Sequence, residues 1–318
     1  MPLTDLVHYL NGRNRERYGA LLCPTDSLTQ QDGHIVGHFA GLHLNSAYQP
    51  LVEARGGKVT GHEALLRATS KDGQAISPEA VFVLPCDSEQ IVFLDRLCRT
   101  VHALNFLLQT GQGGGDLYLN IHPRHLLAVS AEHGLVFEAI LKRCGLTPER
   151  VVLEILESAI EDTPLLAEAV AGYRSRGYRI AIDDFGRNHS NFDRLWQLEP
   201  DVVKLDRSLI STAETNLRVR RILPKLTDIV RELGAKSVFE GIENREQLAI
   251  AINSGADLLQ GYYLARPRGH CLEARSQLVN QDVRVPFVDL AALESGFGPL
   301  STPTSSPISI PEAGLQAA

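Results

Sequence analysis

The sequence predicts an α/β protein, a TIM (β/α)8 barrel modified by one antiparallel strand. Three observations carry that expectation. Over residues 42–268, short β-rich runs alternate with helical patterns, which is the rhythm of a parallel sheet. There are eight such runs, the number that closes a barrel. The first two are joined by the turn "EARGGK" instead of a helix, so they form a hairpin and one strand opposes the rest. An open doubly wound sheet is the alternative. A Rossmann nucleotide site would need GxGxxG between a strand and a helix, whereas "GQGGG" (111–115) follows a helix and reads as a loop.

In chain order, residues 1–41 read as an N-terminal extension with a short helix and an irregular lead-in. The barrel is expected over 42–276, with strands "LHLNSAYQPLV" (42–52), "KVTGHEALLR" (58–67), "DLYLNIH" (116–122) and "RVVLEIL" (150–156). "RIAIDDFG" (179–186), "DVVKLD" (201–206), "KSVFEGIE" (236–243) and "DLLQGYYLA" (257–265) complete the set. Helical patterns fill 89–109, 133–144, 164–177, 214–234 and 244–254, the third opened by Thr163-Pro164 and ended near Gly177. The C-terminal segment 277–318 becomes Pro/Ser/Thr-rich and poor in large apolar groups after about residue 295, as a mobile tail does.

At 318 residues and 44% hydrophobic, the chain can bury a sizeable core. A formal charge of -7 without a dense Lys/Arg block argues against tracking duplex nucleic acid, while a small phosphate ligand stays compatible. Cys23, Cys86, Cys98, Cys144 and Cys271 are odd in number and include no CxxC pair. That argues against a disulfide framework or structural zinc and for a reducing compartment, the cytoplasm. The N-terminus lacks an apolar signal core, and no later stretch approaches the ~18 apolar residues of a membrane span, so no membrane insertion is expected.

Function in such a barrel gathers where the strands end, and seven of the eight runs end in residues suited to metal or phosphate chemistry. Glu63 and Arg67 lie in the second run, Asn120 in the third and Glu154 in the fourth. Asp183 with Asp184, Lys204 with Asp206, Glu240 with Glu243, and Gln260 follow. Neighbouring residues on a strand face opposite ways, so Asp183 and Asp184 share a site only if the chain turns there, and Gly186 offers the freedom. Close carboxylates repel unless cations neutralise them, and an all-oxygen donor set favours Mg2+ or Mn2+ over zinc. The bland alternatives are that Asp184 caps a helix and that Lys204 and Asp206 form a structural ion pair. In a metal site, Lys204 would instead help hold and polarise an attacking water while Asp206 ligates or orients. Glu157 has the opposite parity to Glu154, so it is expected to anchor the loop after Asp184, with Ser190 as partner.

These phrases, "GHEALLRA" with "YQP", "LNIHP", "LEILES", "DDFG", "VVKLDRSLI", "FEGIE" and "QGYYLARP", resemble the EAL family of cyclic di-GMP phosphodiesterases in order and spacing. The resemblance implies a modified TIM barrel that binds two divalent cations, Mg2+ or Mn2+, and hydrolyses cyclic di-GMP to linear pGpG. It implies a metal shell of Glu63, Asn120, Glu154, Asp183, Asp184, Asp206 and Glu240. Lys204, Glu240 and Glu63 take the catalytic places, and Gln49, Leu65, Arg67, Asp95, Gln260 and Arg266 the substrate-contacting ones. It also implies a homodimer. One stretch departs from the family: the loop after Asp184 reads "DDFGRNHSNF", with Arg187, Asn188, His189 and Asn191 where active members commonly carry Thr or Ala, then Gly, an aromatic residue and Ser-Ser. Ala68 also replaces a frequent tryptophan. A non-hydrolytic receptor or protein-interaction module is the competing expectation.

Overall fold

The computed structural model describes residues 3–19, 23–111, 113–129, 133–156, 163–187 and 192–272. The chain begins with α1 (Leu3–Tyr18), β1 (Ser27–Gln31), β2 (His34–Phe39), β3 (Leu42–Glu53), β4 (Val59–Thr69) and β5 (Ala75–Ile76). Next come α2 (Pro78–Val83), α3 (Ser88–Thr110), β6 (Asp116–Asn120), α4 (Pro123–Ala128), α5 (Leu135–Cys144), β7 (Val151–Leu156) and α6 (Thr163–Arg174). Then follow β8 (Arg179–Phe185), α7 (Phe192–Leu198), β9 (Val202–Leu205), α8 (Arg207–Thr215), α9 (Leu217–Glu232), β10 (Lys236–Phe239), α10 (Arg245–Asn253) and β11 (Leu258–Leu259).

All eight expected runs form strands, and together they close the barrel. Strands β4 and β6 to β11 run parallel, and β3 joins the two ends by pairing antiparallel with both β4 and β11. One chemical pattern repeats around the interior. Leu51, Tyr118, Val152, Ala181, Val202, Val238 and Leu258, one from each of seven strands, pack as a buried apolar cluster across the barrel. Gly61 of β4 completes that layer, because a Cβ there would lie 2.6 Å from the Asp116 carbonyl oxygen and 3.0 Å from the Tyr118 ring. The absent side chain makes room for the tyrosine. Two residues further along each parallel strand the side chains point to the same interior, and every one is polar. The C-terminal mouth is therefore a polar ring standing on an apolar floor.

The lead-in expected to be irregular is ordered. Strands β1 and β2 form a hairpin, and β2 pairs antiparallel with β3. The turns are Asp32-Gly33 and Ala40-Gly41, all four residues at positive φ, as tight hairpin turns require. Asn105 of α3 holds the hairpin as a strand neighbour would, accepting from the Ile35 amide at 2.8 Å and donating to its carbonyl at 2.7 Å. Leu6, Val7 and Leu10 of α1 pack into the same core as Phe93, Leu94 and Leu97 of α3. The helix expected over 214–234 breaks at Asn216, whose side chain accepts from the Arg218 and Val219 amides and restarts it as α9. The 277–318 segment lies outside the described residues.

Candidate metal centre at the barrel mouth

The polar ring consists of Gln49 (β3), Glu63 (β4), Asn120 (β6), Glu154 (β7), Asp183 (β8), Lys204 (β9), Glu240 (after β10) and Gln260 (after β11). Each follows its strand's member of the apolar layer by two residues; Gln49 precedes Leu51 because β3 runs the other way. Lys204 is 1% exposed and central. Its Nζ lies 2.7 Å from Glu154, 2.8 Å from Glu240, 3.1 Å from Asp183 and 3.4 Å from Glu63. Asn120 donates to Glu63 at 3.1 Å and to Glu154 at 3.0 Å, and Gln260 donates to the other Glu63 oxygen at 2.6 Å.

Four carboxyl groups around one ammonium cannot all ionise without help. Burial alone would drag the Lys204 pKa down, yet Asp183, Glu154, Glu240 and Glu63 together hold it well above the usual lysine range. Burial raises Glu63 too, but Lys204, Gln260 and Asn120 outweigh it and keep this carboxylate ionised. At Glu240, burial with the repulsion of Asp183 and Glu63 prevails over Lys204 and lifts the pKa to about 8. Glu154 moves the same way, mainly by burial and the nearby Glu63. The ring thus has more acceptors than resident positive charge, which favours uptake of protons or cations.

The turn that brings Asp183 and Asp184 together sits on Asp184 itself. Its φ is +57°, and the β8–β9 register slips between Ile182 and Phe185. Gly186, at φ +96°, continues the bend. As a result, carboxylate oxygens of Asp183, Asp184 and Glu240 all lie within 4.8 Å of one another, the span of one cation's coordination sphere. Glu154 Oε1 and Asp183 Oδ1 are buried and face the Lys204 ammonium at 2.7 and 3.1 Å, and a carboxylate oxygen engaged by one donor has a further lone pair to offer. The all-oxygen donor set and its spacing fit hard divalent ions. Asp206 stands beside the ring as the N-cap of α8, accepting from the Ser208 amide at 2.9 Å. Arg187 Nη1 reaches Asp184 Oδ2 at 2.9 Å, a contact that sequence reasoning did not anticipate.

Two cavities meet at Glu63. One, about 430 Å3, is lined by Gln49, Asp184, Asp206, Glu240, Gln260 and Tyr262; the other, about 580 Å3, by Leu65, Arg67, Phe82, Asp95, Asn120 and His122. The Phe82 and His122 rings stack at 4.5 Å in the second. A cavity of about 590 Å3 between α1, α3 and α5 has Glu16 as its one described acid, so volume alone does not mark the site. Asp95, expected to meet substrate, is 1% exposed and already engaged by Arg99, by His125 and by the His122 amide at 3.0 Å. Arg266 is exposed, with its guanidinium 4.5 Å from the Tyr262 ring centre. Glu157 and Ser190, expected to steady the loop after Asp184, lie outside the described residues.

Comparison with known proteins agrees with this arrangement. A family model described as EAL domain matches residues 38–267. The chain is 30% identical over 224 residues to the cyclic di-GMP phosphodiesterase RocR of Pseudomonas aeruginosa, covering 69% of this chain and 56% of that one. It is 30% identical over 231 residues to the uncharacterised EAL-domain containing protein YkuI of Bacillus subtilis, covering 71% and 55%. Among solved structures, the YkuI complex with cyclic di-GMP and calcium superposes with a TM-score of 0.62 at 29% identity, over 72% of this chain and 57% of that one. The calcium and cyclic di-GMP complex of Klebsiella pneumoniae BlrP1 gives 0.63 at 25% identity, over 83% and 64%. The chain spans about half the length of the curated relatives RocR and YkuI.

Proposed function

The chain belongs to the EAL domain family, and on that premise we propose that it is a phosphodiesterase that hydrolyses cyclic di-GMP to linear pGpG with two divalent cations, Mg2+ or Mn2+. The observation that carries this reading is the buried Lys204 ammonium inside a ring of four carboxyl groups at 2.7–3.4 Å. A ring so rich in unneutralised oxygen repels a dianionic phosphodiester, so cations are a requirement and not an accessory.

Glu63, Asn120, Glu154, Asp183, Asp184, Asp206 and Glu240 would hold the ions. When bound, the cations lower the pKa of a coordinated water and neutralise charge building on the phosphate. Lys204 orients that water, being fixed by several partners and unable to leave the interior. Glu240, ionised once the cations offset the repulsion of its neighbours, would take the proton that the water gives up. The water oxygen bonds to phosphorus, one ester P–O bond breaks, and the departing sugar oxygen takes a proton from solvent water.

Leu65 and Arg67 on one side of Glu63, with Gln49 and Gln260 on the other, would seat the two halves of the dinucleotide in the two cavities. Arg266 would close over the rim. Asp95 would contribute by fixing the His122 main chain, which shapes the wall of the larger cavity.

A homodimer is part of the proposal. Helix α7 follows the divergent loop and leaves Phe192 and Trp196 largely exposed, the kind of apolar surface that a second copy covers. Light scattering during size-exclusion chromatography would show a dimer that Trp196→Glu converts to monomer. The five cysteines are all free, which fits a reducing compartment. No described helix is long and apolar enough to cross a membrane.

Purified protein with Mg2+ or Mn2+ is expected to release pGpG from cyclic di-GMP and to stop with EDTA. Glu63→Ala should abolish turnover. Tight cyclic di-GMP binding with no turnover in either metal would establish the receptor reading in its place.

A further inference from the structure

Arg187, the second residue after β8, lies outside the family pattern and outside the mechanism above. Two described cations at the mouth form ion pairs with its carboxylates, while Arg207 lines the same cavity. Lys204 pairs with Glu63, Glu154, Asp183 and Glu240, and Arg187 pairs with Asp184. The two differ in freedom. The Lys204 side chain is 1% exposed and locked on several sides, whereas that of Arg187 is 63% exposed and held at the ring by Asp184. Asp184 is also one of the three carboxylates whose oxygens converge within 4.8 Å.

We propose that Arg187 is a resident, displaceable cation that competes with one of the two divalent ions for Asp184, so that the two ions bind with unequal affinity and the weaker one is set by this arginine. The inference rests on the two-ion reading above. A guanidinium on Asp184 Oδ2 occupies an oxygen the ion needs, and once displaced it remains nearby as a like charge. Both effects weaken the same ion. Because Arg187 lies at the surface, the effect is modest and screened by salt; an exposed pair of this kind corresponds to about two- to fivefold in affinity.

The test is Mn2+ titration of the full-length protein by calorimetry, with unbound Mn2+ counted by electron paramagnetic resonance. The wild type is expected to show a tighter and a weaker class. Arg187→Ala should tighten the weaker class about two- to fivefold and leave the tighter one unchanged, with Arg187→Lys intermediate and the gap narrowing as salt is raised. Asp184→Asn should weaken or remove the same class and erase the effect of adding Arg187→Ala. Arg187 is exposed, so these variants should retain the wild-type circular dichroism spectrum. Equal weaker-class affinities in wild type and Arg187→Ala, or an equal shift in both classes, would overturn the proposal while leaving the two-ion reading standing. An absence of Mn2+ binding in either protein would overturn that reading and this inference with it.

Discussion

Lys204 illustrates how a cation is kept in a barrel interior: burial opposes its charge, and four carboxyl groups more than restore it. The carboxyl groups outweigh burial only while the ammonium and its partners are all present. Lys204→Met therefore leaves a buried cluster of like charge and is expected to cost about 3 kcal/mol of unfolding free energy in EDTA at pH 8, with turnover lower by 100-fold or more. The sign with pH follows from the carboxyl groups. At pH 6 they retain protons instead of repelling, so the stability loss measured by urea denaturation should be smaller there. Mn2+ should restore stability to this variant without restoring catalysis. The ring was legible residue by residue, because Glu63, Asn120, Glu154, Asp183, Lys204, Glu240 and Gln260 share a parity that any strand imposes. The positive φ of Asp184 was not, since that conformation is uncommon outside glycine and depends on the β8–β9 slip. Neither was its pairing with Arg187, which needs that same bend.

At the scale of elements, the strands do two jobs two residues apart, building an apolar floor and then presenting donors. Gly61→Ala tests the floor without touching the donors. Its Cβ would press on the Asp116 carbonyl and the Tyr118 ring, and neither is the free end of a flexible chain. The expected loss is about 1–3 kcal/mol, seen as a lower urea midpoint at unchanged slope. Helix α3 supplies a second test, because it buries His102 and, on its barrel side, faces His125 of α4. Burial lowers their pKa values to about 4 and about 3. Burial also decides the His125 contact with Asp95 at 3.2 Å, keeping the imidazole neutral. Both folded values lie below the unfolded value of 6.5, so stability is complete above pH 6.5 and falls as the pH drops toward the folded values. Each histidine should cost about 2 kcal/mol by pH 5, read from denaturation midpoints at pH 7 and pH 5. His102→Gln should flatten that dependence. The eight barrel runs were legible because the hydrophobic rhythm and the "EARGGK" turn agree. The β1–β2 hairpin escaped because both strands are short and β1 is polar; the Asp32-Gly33 turn was the usable signal.

For the whole molecule, barrel closure places β3 between β4 and β11, and that joint carries the polar ring all the way round the mouth. Closure was readable from the count of runs, whereas the meeting of two cavities at Glu63 was not, since it depends on where loops from distant parts of the chain settle. A closed ring of carboxyl groups is a concentrated source of repulsion in the folded state, and unfolding disperses it. Any ion that enters the ring is bound by the folded chain and not by the unfolded one, so it must stabilise the fold by mass action. At a Mn2+ concentration about a hundred times its dissociation constant, one ion contributes about 2.7 kcal/mol, which for a domain of this size raises the melting temperature by roughly 5 °C over EDTA. The shift should shrink at pH 6, where cations must expel protons from carboxyl groups such as Glu240, and should vanish in Asp183→Asn/Asp184→Asn. Calorimetric scans giving one melting temperature in EDTA and in Mn2+ at pH 8 would mean that the ring is neutralised by Lys204 and protons alone, and the metal-dependent chemistry would lose its physical basis.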